Sequence, residues 1–69
     1  MPVGAVLRVR GRDVRAQIEL AADATGGRVR SDAELPVGVA LRIELDDGRR
    51  GLVVVVDERG RFDAPTAIR

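Results

Sequence analysis

The amino-acid sequence predicts an all-β protein, a small six-stranded antiparallel β-barrel that forms a single domain over residues 1–69. Apolar and polar residues alternate with period two along several segments, as they do in half-buried strands. Turn-forming residues separate these segments about every eight to twelve residues, which is typical of barrels and small sandwiches. No segment repeats as strongly at helical spacing.

The first two strands are predicted over residues 3–10 and 14–20. A chain reversal at Arg12-Asp13 places Leu7 opposite Ile18 on the inner side of the barrel. The apolar residues of both strands then share one face, as a half-buried hairpin requires.

The same reversal places Arg10 opposite Arg15 on the outer side, with Arg8 on the same face. Two arginines directly opposite each other are unfavourable unless a negative charge neutralises them. Asp13 or Glu19 can supply that charge, which gives an ordinary solvated face. The alternative is an anion or phosphate site at the three arginines.

The remaining predicted strands are shorter and lie around residues 28–30, 39–45, 52–56 and 61–64. The run Leu35-Pro36-Val37-Gly38 predicts a turn into the second of these strands. Pro65 ends the last strand, because proline cannot donate a hydrogen bond inside a sheet.

The run Asp46–Arg49 is the strongest hairpin signal in the chain. A two-residue turn at its Asp-Gly places Ile43 opposite Leu52, and the apolar faces of the two strands then coincide. With the first hairpin, this register predicts a core that contains Leu7, Val9, Ile18, Leu41, Ile43, Leu52 and Val54.

The same register turns Val53 and Val55 outward, beside Ala40. Contiguous apolar positions on an outer strand face usually need covering. We therefore predict an oligomer interface formed by Ala40, Val53 and Val55, in a homodimer or against a larger protein partner. The core, mostly Val and Ala, adds a reason, since it buries little area per residue in so small a chain.

The composition excludes most catalytic chemistry. The chain has no His and no Cys, the residues that supply the usual general bases, thiolate nucleophiles and many metal ligands. Its paired acids lie in turn-like segments, where acids are ordinary. We expect no catalytic residue, no metal site and no cofactor, and we predict that the protein is not an enzyme.

The charges are nearly balanced, with twelve arginines against eleven acids and a net charge of +1. A nucleic-acid binder normally concentrates basic residues on one face, and single-strand binding needs aromatic platforms that Phe62 alone cannot supply. We expect no nucleic-acid partner. The longest apolar run, residues 52–56, is too short for a membrane span, so no membrane association is expected, and the expected location is the cytoplasm.

The middle of the chain, about residues 16–45, resembles a PilZ domain. That family has a strand ending in an Asp-x-Ser-x-x-Gly turn, a short strand, and an apolar-Pro-x-Gly turn into an alternating strand. Here Asp23 matches the acid, Thr25 stands where the serine would be, and Gly26-Gly27 arrives one residue early. Leu35-Pro36-Val37-Gly38 fits the later turn.

The resemblance implies a six-stranded barrel that binds cyclic di-GMP or a protein partner. The family also uses an Arg-x-x-x-Arg segment before its first strand, whereas Arg8 and Arg12 have this spacing within and just after the first strand here. The family's position would fall before Met1, so we expect at most weak binding of cyclic di-GMP. The candidate ligand contacts are Arg8, Arg10, Arg15, Asp23, Thr25 and Gly27.

The sequence thus predicts a non-catalytic PilZ-like barrel that acts as a protein-interaction or regulatory module, with a link to cyclic di-GMP signalling. Two alternatives stay open. One is a nucleic-acid-binding small barrel of the OB-type or Sm-like kind that uses an arginine face. The other is a simplified or engineered β-barrel without a ligand.

Overall fold

The computed structural model describes residues 2–69 and contains six strands. They are β1 (Val3–Val9), β2 (Arg12–Leu20), β3 (Gly26–Ser31), β4 (Ala40–Leu45), β5 (Arg50–Val55) and β6 (Arg61–Asp63). Neighbouring strands are antiparallel, and the order β1-β2-β3-β6-β5-β4 closes through pairing of β1 with β4. The prediction of a small six-stranded antiparallel β-barrel is confirmed.

Because neighbouring strands are antiparallel, successive connections lie at alternate ends of the barrel. The upper end carries the β1–β2 turn, the connection 32–39 and the turn 56–60, and the lower end carries segments 21–25, 46–49 and 64–69. The tail closes the lower end: the Arg50 N–H donates to the Arg69 carbonyl at 2.6 Å, and the Arg69 N–H donates back at 3.0 Å. Ile68 is buried there.

The core consists of inward-facing strand residues and two residues of the tail. Its members are Ala5, Leu7, Val9, Ala16, Ile18, Val29, Leu41, Ile43, Leu45, Val53, Val55, Phe62, Ala64 and Ile68. No polar or charged residue between positions 2 and 69 is buried. The predicted burial of Leu7, Val9, Ile18, Leu41 and Ile43 is confirmed.

The first hairpin reverses earlier than predicted. Leu7 lies opposite Val14 rather than Ile18. The turn residues are Arg10 and Gly11, with φ of 52° and 79°, a pair of left-handed conformations typical of a type I′ turn. Because the pairing moves from residue 18 to residue 14, an even shift, every inward residue stays inward.

The second hairpin has a three-residue turn instead of the predicted two-residue turn. The Leu45 N–H donates to the Arg49 carbonyl at 2.8 Å, and the Gly48 N–H donates to the Leu45 carbonyl at 2.9 Å. Gly48 has φ of 93°, the left-handed conformation that the last residue of such a turn requires and that glycine adopts without strain.

The extra turn residue shifts the register of β5 by one position, and a one-residue shift exchanges the two faces of a strand. Leu41 therefore lies opposite Val53 rather than Val54. Val53 and Val55 are 1% and 2% exposed, whereas Leu52 is 42% exposed. Val54 is half-buried on the outer face. The predictions that Leu52 and Val54 belong to the core, and that Val53 and Val55 form an outer interface, are wrong.

The register of β5 is testable with one substitution on each face. Val53→Thr puts a hydroxyl of the same size into the core, so it should lower the free energy of unfolding by about 1–3 kcal/mol. Val56→Thr, at a position 44% exposed, should change it by less than about 0.5 kcal/mol at a protein concentration low enough for the chain to be monomeric. Urea unfolding of both variants measures the difference. The reverse order of the two effects would contradict the register.

Candidate functional site

The outer face of β5 is apolar. Leu52 and Val56 are 42% and 44% exposed, and Val54 lies between them with its side chain half-buried. Alternation along the strand brings these three side chains to the same side of the sheet. We call Leu52, Val54 and Val56 the apolar strip.

The connection before β4 widens the apolar surface at the upper end. Val37 and Val39 are each 50% exposed. Val37 forms an isolated bridge with Val55, and the Gly38 N–H donates to the Val55 carbonyl at 2.8 Å. These contacts hold the connection against the end of β5, so the two exposed valines lie near the upper end of that strand, where Val37 also lines a groove.

Charged and small side chains border the apolar strip. On the β4 side, Arg42 lies opposite Leu52 and Ala40 opposite Val54. On the β6 side, Asp63 lies opposite Val54. Ala40 is exposed, so of the three predicted interface residues it alone faces outward.

The three candidate arginines do not face one another as predicted. Arg8 lies opposite Asp13 on β2, with Nη1 3.3 Å from the Asp13 carboxylate. Arg10 occupies the β1–β2 turn. Arg15 reaches across the sheet to Asp46 in the β4–β5 turn. The predicted Arg10–Arg15 opposition is wrong because the chain reverses at Arg10 rather than at residues 12–13.

The Arg15–Asp46 pair is bidentate. Nη1 and Nη2 of Arg15 donate to the two carboxylate oxygens of Asp46 at 3.0 and 3.1 Å. Hydrogen bonding to Arg15, reinforced by the charge of the guanidinium, lowers the pKa of Asp46. Both side chains are more than half exposed. The ion pair links β2 to the β4–β5 turn.

Asp23 and Thr25 shape the β2–β3 connection. The Thr25 N–H donates to Asp23 Oδ1 at 3.1 Å, and hydrogen bonds from the Thr25 side chain and backbone lower the pKa of Asp23. The Thr25 carbonyl accepts from the Ala64 N–H at 2.7 Å. A Cβ at Gly27 would collide with the Glu19 carbonyl, so a close approach of backbones requires glycine there. These roles are structural.

The candidate ligand residues divide between opposite ends of the barrel. Arg10 precedes β2, and Asp23 and Thr25 follow it. With nine residues in β2 and a rise of about 3.3 Å per residue, the two groups are separated by roughly 25 Å along the strand. The structure does not bring them together into one site.

Two pairs of arginines face each other across strands in a way that the sequence did not predict. Arg8 lies directly opposite Arg42 across β1 and β4, and Arg28 lies directly opposite Arg61 across β3 and β6. Both pairs join strands that are distant in sequence, so no local pattern signals them.

An open groove of about 1440 Å³ crosses the upper end of the barrel. The charged residues that line it are Arg10, Arg15, Arg30, Arg59, Asp32, Glu34, Asp57 and Glu58. Four arginines and four acids line the groove, so its lining has no excess of either charge. Within residues 2–69, no group of three metal-ligating side chains comes together.

Residues 2–69 contain no helix with the length and apolarity needed to cross a bilayer. No family model, no curated protein and no solved structure matches this chain.

Acidification is expected to remove the stabilisation that Asp46 provides. The pKa of Asp46 in the folded chain is below its ordinary 3.8, so the ionised carboxylate stabilises the fold above pH 3.8, and this contribution is lost as the pH falls through the lowered pKa. Asp46→Asn should therefore lower the melting temperature at neutral pH and leave it unchanged well below pH 3.8.

The control for Asp46→Asn is Asp32→Asn, which removes an exposed acid outside the ion pairs among residues 2–69. Equal melting temperatures of both variants and the unmodified chain at neutral pH would contradict the stabilising role of the Arg15–Asp46 ion pair.

Binding of cyclic di-GMP is expected to be weaker than micromolar, because the arginines near the β1–β2 turn and the Asp23–Thr25 turn lie at opposite ends of the barrel. Isothermal titration calorimetry measures this. Micromolar binding that is lost on replacing either Arg8 or Asp23 would show that the two groups form one site after all.

Proposed function

We propose that this chain is a non-catalytic, PilZ-like β-barrel that acts in the cytoplasm as a protein-interaction module, with the apolar strip as its contact surface. The observation that carries the proposal is the outer face of β5, where Leu52 and Val56 stay 42% and 44% exposed in a folded barrel. Contiguous apolar surface of this kind marks protein–protein contact sites.

A second copy of the chain is the proposed partner. A contact between two copies related by a two-fold axis uses the same surface twice, so the surface has to complement itself. The apolar strip offers three apolar side chains on one side of the sheet, with the small Ala40 opposite Val54. A core of mostly Val and Ala supplies modest stability, and burial of the apolar strip between two copies adds to it.

The exposed valines of the upper connection support the same contact. Val37 and Val39 lie beside the end of β5, and the hydrogen bond from Gly38 to Val55 fixes their position. We infer that they add apolar area at the upper end of the contact, since the centre of an interface is more apolar than the rest of a protein surface.

Self-association through the apolar strip is testable by sedimentation equilibrium. The unmodified chain should dimerise, and Leu52→Arg or Val56→Arg should weaken the dimer at least about tenfold, because each puts a charge into an apolar contact. The folded monomer should persist, since both positions lie on the outer face.

The matched control is Ala22→Arg, which adds the same side chain at an exposed position of the β2–β3 connection, away from β5. It should leave the dimer intact. A chain that remains monomeric at high concentration, or a dimer that all three substitutions weaken equally, would contradict the proposed surface.

A further inference from the structure

The outer surface of the barrel usually places opposite charges next to each other. Glu44 lies opposite Arg50 on the β4–β5 hairpin, with Oε1 3.7 Å from Nε. Arg8 lies opposite Asp13. Cross-strand pairs of opposite charge stabilise a sheet, whereas like charges directly opposite destabilise it. The Arg8–Arg42 and Arg28–Arg61 oppositions therefore stand out.

The acids beside Arg8 and Arg42 are already engaged. Asp13 is bound by Arg8 at 3.3 Å, and Glu44, two residues beyond Arg42 on the same face, is bound by Arg50. Among residues 2–69, Arg42 has no ion-pair partner. Asp13 thus balances the charge of Arg8, whereas the positive charge of Arg42 is left uncompensated by its neighbours.

The second arginine pair differs in this respect. Arg28 lies opposite Glu19 on β2, and Arg61 is two residues from Asp63 on the same face of β6. Within the part of the chain that the structure describes, neither acid forms an ion pair with another residue. Both are available to neutralise Arg28 and Arg61, which makes this pair a matched comparison for the first.

Arg10 is a further cation near the first pair in the chain, and it also lines the upper groove. It follows Arg8 by two residues and occupies the β1–β2 turn with φ of 52°. That conformation is costly for a residue with a long side chain, and type I′ turns prefer Asn, Asp or Gly there. The turn thus keeps a cation at a position where a smaller residue suits the backbone better.

We propose that Arg8, Arg10 and Arg42 form a binding site for a phosphate group. Directly opposite residues in an antiparallel pair have Cβ atoms about 4.5–5.5 Å apart, so both guanidinium groups can reach one tetrahedral anion. Each planar guanidinium donates two parallel hydrogen bonds to phosphate oxygens. The phosphate supplies the negative charge that Arg42 lacks, next to the Arg8–Asp13 ion pair. This site is independent of the proposed dimer contact.

Nuclear magnetic resonance of the arginine side chains tests the proposal on the full chain. The Nε–Hε signals are followed while inorganic phosphate is added at constant ionic strength. The signals of Arg8, Arg10 and Arg42 should shift and saturate, and those of Arg28 and Arg61 should not. Because the signals are read from the unmodified chain, the result does not depend on any variant folding.

Substitution of each arginine pair provides the second measurement. Arg42→Gln should weaken phosphate binding by about tenfold, since it removes charge-assisted hydrogen bonds. Arg61→Gln, the same change in the other pair, should leave binding unchanged. Shifts that never saturate, or that are equal at the two pairs, would overturn the proposal.

Three probes identify the source of the phosphate group. Inorganic phosphate, pyrophosphate and dimethyl phosphate represent the free anion, a polyphosphate and a phosphodiester. The tightest of the three shows which ligand class the site selects. Failure of all three to bind at Arg42 overturns the site while leaving the dimer contact intact, because the dimer is read from Leu52 and Val56 instead.

Discussion

The three-residue turn between β4 and β5 determines which residues of β5 fill the barrel. Gly48 closes the turn in a left-handed conformation, the Asp47 carboxylate accepts from the Arg49 N–H at 3.1 Å, and Asp46 is left free to bind Arg15. Ile68 adds a steric condition, because its Cγ1 lies 3.0 Å from where a Cβ on Gly51 would be. A side chain at the inward position opposite Ile43 would therefore crowd Ile68, and glycine, which this register places there, avoids that contact.

Sequence alternation predicted the barrel well, and the reason lies in the period of a strand. An error of four positions in the register of the first hairpin left the predicted faces unchanged, since an even shift keeps Leu7 and Ile18 inside. An error of one position in the second hairpin exchanged the faces of β5. There the apolar pattern could not correct the error, because residues 52–56 are apolar on both sides. The geometry of the turn and the fit of Gly51 against Ile68 carry that information.

Less of the candidate site than of the fold could be predicted from the sequence. An apolar face on β5 was predicted, but with Val53 and Val55 in place of Leu52, Val54 and Val56. The partners of the arginines depend on closure of the barrel: Arg15 meets Asp46 across a separation of 31 residues, and the pairing of Arg8 with Arg42 exists only because β1 and β4 meet. Local patterns contain no signal for contacts made by closure.

An outer face as apolar as the inner one also affects how the chain reaches its fold. A β4–β5 hairpin with a two-residue turn would bury three apolar side chains, Leu52, Val54 and Val56, in place of the two valines Val53 and Val55. Before Arg15 and Ile68 dock, hydrophobicity alone therefore does not favour the native hairpin. A misregistered hairpin has to unpair before the barrel closes. Competing pairings of similar stability slow folding. Here they involve β5, the strand that also carries most of the apolar strip.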